Sequence, residues 1–122
     1  MRLIWADSEL ARVEHADGLL ALHFSAALLR DARGDEGWQR GLVVEFAASQ
    51  VRGTPADWLG RIVSARLQLA GMPQAQFGPG GHLTGPIVCD ICFAQGGELQ
   101  LEACSASCRV LEGHPLQGNF SC

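Results

Sequence analysis

Lysine is absent from this sequence; its nine basic side chains are all arginines, set against thirteen acidic ones for a formal net charge of −4. That balance argues against a domain built mainly to neutralise phosphate, which supplies most non-specific nucleic-acid affinity, although local basic patches remain compatible with it. An arginine-only set points to a GC-rich genome before it points to selection for bidentate anion contacts. Cysteine is missing from the first 88 residues. Long apolar runs are missing too: no window approaches the roughly 18 residues of a membrane span. The N-terminal Met1–Leu10 holds neither a seven-residue apolar stretch nor a cleavage signature. A cytoplasmic protein with reduced thiols is therefore expected, and the odd total of five cysteines fits that better than a closed disulfide framework.

Amphipathic helices of three turns are also lacking, and alternation takes their place. Apolar residues make up 48% of the chain, enough for a real core at 122 residues, so wholesale disorder is excluded and one domain is expected. The sharpest local signal is Asp17-Gly18, the pair suited to a two-residue type I′ turn, between Leu10–His15 and Leu19–Ser25. That turn pairs Ala16 with Leu19, sets Val13 against Leu22 and Ala11 against Phe24, and puts His15 on the same apolar face. Further strands are predicted at Gly41–Val51, with Leu42, Val44, Phe46 and Ala48 inward, and at Arg61–Ala70, with Val63, Ala65, Leu67 and Leu69 inward. A second hairpin, Thr84–Gln95 with Glu98–Leu111, turns at Gly96-Gly97, and His114–Cys122 can add a short last strand. Between these, Arg30–Arg40 reads as a charged loop and Gly71–Gly81 as a connection that is mobile or crosses the fold. Gly53–Gly60 reads as one helical turn, with Thr54 as cap and Pro55 in the first position. The fold class is all-β and antiparallel, a small barrel or two-sheet sandwich of six to seven short strands with one short helical turn.

Charge thins out along the chain. From Leu67 to Cys122 the only charged residues are Asp90, Glu98, Glu102, Arg109 and Glu112. Such a stretch is either core-rich or covered by another subunit.

The five cysteines, Cys89, Cys92, Cys104, Cys108 and Cys122, all fall in this stretch. Their spacing resembles a zinc ligand set, but Pro86–Phe93 is strand-forming, and residues three apart on a strand point to opposite faces. Cys104 and Cys108 share a face about 13 Å apart, at about 3.3 Å per residue. A two-residue turn at Gly96-Gly97 instead sets Cys89 opposite Cys104, within disulfide or shared-ligand range. Three readings follow: small buried hydrophobes, a redox-sensitive pair, or a zinc site using Cys89 and Cys104 with His82, His114 or Cys122.

Catalysis has little support, since no nucleophile, base and orienting group stand in a local signature. Gly78-Pro79-Gly80-Gly81 lacks the lysine and hydroxyl of a phosphate loop. Trp5, Trp38 and Trp58 are placed at strand ends or loops, where they plug a barrel end or line a ligand mouth or interface. The strand succession from Glu9 to Leu111, opening with the Asp17-Gly18 hairpin, resembles a variant small barrel of the Sm-like type, on strand count and order. That resemblance implies ring assembly and single-stranded RNA binding. The family's Asp-x-x-Met-Asn stretch is absent, and Arg52-Gly53 matches its Arg-Gly pair in letters, so no functional residue is carried over. The expectation is a non-catalytic binding or self-assembly module, homo-oligomeric through its charge-poor half. The alternatives are a zinc-stabilised domain or an RNA-binding barrel using Arg52 and Arg61.

Overall fold

The computed structural model describes residues 1–54 and 58–118. The chain is all-β, with no helix among these residues. The helical turn expected over Gly53–Gly60 falls on residues 55–57, and Cys122 falls beyond 118; both lie outside the described residues. Nine strands run in order: β1 (Arg2–Ala16), β2 (Leu19–Arg30), β3 (Glu36–Gln39), β4 (Leu42–Arg52), β5 (Gly60–Leu69), β6 (Met72–Pro73), β7 (His82–Phe93), β8 (Glu98–Val110) and β9 (Leu116–Gly118).

Six of them close a ring, β1-β5-β7-β8-β4-β2 and back to β1, all pairs antiparallel. The fold is therefore a closed barrel and not a two-sheet sandwich. It consists of two three-stranded meanders, β1-β2-β4 and β5-β7-β8. The first strand of each pairs with the first of the other, and the last with the last. The two seams are unequal. β4 and β8 are registered from Leu42 opposite Val110 to Arg52 opposite Gln100. Among the described residues β1 and β5 share two registered pairs, Glu9 opposite Arg61 and Leu10 opposite Gly60.

The first hairpin forms as its turn chemistry dictates. Asp17 (φ 53°) and Gly18 (φ 76°) are both left-handed, the type I′ requirement, and Ala16 pairs with Leu19 and Val13 with Leu22. Beyond Arg12 a bulge shifts the register, so Leu10 and not Ala11 stands opposite Phe24. Ala11 and His15 are exposed, while Leu10 is buried. A second irregularity lies between Ile4 and Glu9, where Asp7 adopts φ 72°. Buried Ser8 repairs it: its hydroxyl donates to the Ile4 carbonyl (2.6 Å) and accepts from the Leu28 N–H (2.9 Å). Two backbone groups that the bulge takes out of the ladder are thereby satisfied.

A third bulge, between Ile62 and Ser64, turns Ile62 inward and leaves Val63 exposed, opposite to the simple alternation read for this strand. The interior is filled by Leu20, Leu22, Leu42, Val44, Phe46, Ile62, Ile87, Ile91 and Leu99, all essentially inaccessible. The segments expected as loops carry structure of their own. Arg30–Arg40 contains β3, which pairs with the far half of β2 and then with β9. The 71–81 connection crosses the fold: Phe77 is buried, and its carbonyl accepts from the Leu3 N–H (2.8 Å).

Candidate functional site

The cysteines separate. Phe93 closes the β7-β8 turn on both sides, its N–H donating to the Gly97 carbonyl (2.9 Å) and its carbonyl accepting from the Gly96 N–H (2.9 Å). The connection therefore spans residues 94–97, two more than a Gly96-Gly97 turn, and the register moves. Cys89 stands opposite Leu101, not Cys104. Cys89 is in the core and Cys104 is exposed on the outer surface, so the expected pair does not form. Cys89 and Cys92 diverge as strand geometry requires, with Cys92 half-buried and its Sγ 4.0 Å from Glu98 Oε1.

Burial, reinforced by the Asp90 carboxylate, pushes the Cys89 thiol far above its ordinary value; burial alone pushes Cys108 up to about 12. Both are held as thiols and not as the thiolates that attack substrates or ligate metals. The candidate histidines lie elsewhere. His82 Nε2 is 3.2 Å from Thr84 Oγ1, and the His114 ring lies where a side chain on Gly41 would stand. The His114 carbonyl accepts from Gln39 Nε2 (2.7 Å). Among the described residues, no three His, Cys, Asp or Glu side chains come together to hold a metal ion.

The tryptophans take three roles. Trp5 is mid-strand in β1, not at a strand end, and packs edge-on against Phe24 with ring centroids 5.9 Å apart. Trp38 lies within β3, 41% exposed, opposite Leu28 and Gln117. Trp58 is buried, and its indole N–H donates to the Glu98 carbonyl (3.0 Å). At Gly53 (φ 126°) a Cβ would collide with that carbonyl and with the indole, so glycine is required for the plug to seat. Trp58 also lines, with Leu59, Val13, Ala11, Arg12 and His15, a hollow of about 490 Å³. Arg61 is paired with Asp7 (3.2 Å) at the barrel seam.

Two rungs on the outside of the ring decide where a binding surface can lie. On one side the rung runs Arg12, His23, Val43, Arg109 across β1, β2, β4 and β8. Its charges are satisfied within the chain: Glu14 meets both Arg12 (3.1 Å) and His23 (2.7 Å), and Arg109 meets Glu45 (2.8 Å). Val43 is buried beneath them although it points outward.

On the other side the rung runs Arg66, Asp90, Gln100, Arg52 across β5, β7, β8 and β4. The next rung reads Gln68, Val88, Glu102, Gln50. In the amide orientation that satisfies both neighbours, Gln50 donates to Glu102 Oε2 (3.3 Å) and accepts from Arg52 Nη2 (3.1 Å). Arg66 and Asp90 face each other in register yet form no ion pair or side-chain hydrogen bond among the described residues. Val88 is 39% exposed between them and Glu102. Two shallow hollows of about 180 and 300 Å³ run along this wall and share Asp90 and Gln100.

Of the binding residues expected from sequence, only Arg52 belongs to this wall. Arg66, Asp90, Gln100 and Val88 were missed, because they become a group only when four strands are set in register. Every second residue of β7 and β8 points outward, so the scarcity of charge is not only a matter of core: Thr84, Pro86, Val88, Gln100 and Cys104 are exposed. No family model, curated protein or solved structure matches this chain. No helix among the described residues is long and apolar enough to cross a membrane.

Proposed function

We propose that the protein is a non-catalytic binding or self-assembly module that engages another protein surface through the outer wall of β5, β7, β8 and β4. The observation that carries this reading is the contrast between the two outer rungs: Arg66 and Asp90 have no ion-pair partner among the described residues, where Arg12, Glu14, His23, Glu45 and Arg109 pair with one another. Polar groups left open around an exposed valine suit an interface of mixed character, with charge fixing register and specificity. The thiols argue against covalent catalysis, because the two buried ones are held protonated. Nucleic acid is the weaker partner for this wall. Asp90, Glu98 and Glu102 lie along it, and Arg52 and Arg66 would have to overcome their repulsion of phosphate.

The test is sedimentation of the untagged protein from low to high micromolar concentration, beside Val88→Arg, which plants a charge in the middle of the wall. The reading predicts association that rises with concentration and is lost in the variant at unchanged circular dichroism. A wild-type monomer throughout, or a variant that associates as well as wild type, counts against it.

A further inference from the structure

The partner can be named. Resting on the reading above, we infer that the wall takes a second copy of this chain, across a twofold axis lying in the interface along the strand direction, between β5 and β7. The argument is geometric. A twofold placed there carries each strand of that pair onto the other, so Arg66 of one copy faces Asp90 of its partner, and Asp90 faces the partner's Arg66. These are adjacent residues on adjacent strands, about 5 Å apart at Cα, and neither has an ion pair among the described residues of its own chain. One operation completes both, twice over.

The neighbouring rungs match under the same operation. Ser64 meets Cys92 and Gln68 meets Val88, so no like charges are opposed along these two strands. A twofold between β7 and β8 does worse: it sets Arg66 against Arg52, two guanidiniums, while Asp90 meets only Gln100. The size reaches the low end of a stable interface, about 600 Å² per partner. Centred between β5 and β7, the footprint takes in those two strands with β1 and β8 beside them, and four strands about 4.8 Å apart with ten residues of about 3.3 Å span roughly 600 Å² in projection. A standard interface buries about 800 Å² per partner, about an eighth of the 6662 Å² this chain exposes.

Charge exchange tests the axis. Native mass spectrometry of the full chain should show a dimer, weakened on the order of tenfold or more by Arg66→Asp and by Asp90→Arg alone. Mixing the two variants should restore it as a heterodimer, since one chain then presents two carboxylates and the other two guanidiniums. The double variant R66D/D90R should dimerise with itself. Arg66→Gln and Asp90→Asn, smaller changes at exposed or half-exposed sites, repeat the single-variant test if a reversal fails to fold. A wild-type monomer at tens of micromolar overturns the inference, as does a mixture that stays monomeric while the fold is intact. A dimer broken by Val88→Arg but indifferent to both reversals overturns the axis and leaves the wall as the interface. A dimer indifferent to all three overturns both.

Discussion

The two meanders have the same connectivity and opposite surface chemistry. On β1, β2 and β4 the outward charges Arg12, Glu14, His23 and Glu45 are paired, Glu45 with Arg109 across the seam on β8, and Val43 is buried beneath them. In β5-β7-β8, Arg61 and Arg109 pair across the seams with Asp7 and Glu45, while Arg66 and Asp90 form no ion pair among the described residues, and all four described cysteines belong to β7 and β8. Both meanders satisfy the same inner requirement, an apolar residue at every second position, so the barrel does not force the difference. Among the described residues the charges of the rung from Arg12 to Arg109 are met where those of Arg66 and Asp90 are not, and that asymmetry makes one wall a candidate interface.

The largest break in the comparison comes from the first meander. Ser8→Ala removes the hydroxyl that bridges the β1 irregularity and leaves the Leu28 N–H and Ile4 carbonyl unsatisfied. A loss of about 1–3 kcal/mol is expected, read as a lower urea midpoint at unchanged slope. The second meander is sensitive to alkali instead. Cys89 and Cys108 have folded values raised above the ordinary 9.0 of the unfolded thiol, so above pH 9 the unfolded chain releases protons that the folded chain keeps. Stability is therefore intact below pH 9 and falls as pH rises, by up to about 1.4 kcal/mol per pH unit for each thiol. The slope should flatten in Cys108→Val, and an unchanged slope would remove that thiol from the account.

The smallest effect is the most direct contrast. Glu14→Gln should cost under about 1 kcal/mol, as for an exposed ion pair. Asp90→Asn should leave the stability of the monomer unchanged and act on association alone. Thermal denaturation at a concentration where wild type is monomeric separates the two.

Legibility followed locality. The Asp17-Gly18 turn, the inward set Leu42, Val44, Phe46 and Ala48, and the all-β class depend on residues within a few positions of one another, and alternation reveals them. Bulges at Ala11 and near Val63 each reversed an expected side chain, because one inserted residue shifts the parity of all that follow. The Cys89–Cys104 pairing failed for a related reason: the turn is four residues long, and the glycine pair marks only its second half. β3 was hidden in a charged segment because its partners, β2 and β9, are distant in sequence. The wall itself could not be read at all, since Arg66, Asp90, Gln100 and Arg52 come from four strands whose order is a property of closure.

Closure, finally, is lopsided. With one seam running the length of β4 and β8 and the other held at Glu9–Arg61 and Leu10–Gly60, the ring is mechanically a folded page with a bound spine and a two-stitch clasp. The exposed ion pair of Arg61 and Asp7 lies beside that clasp. The ladder is thus unequal around the circumference: among the described residues, two registered pairs close the ring between β1 and β5, and nine close it between β4 and β8.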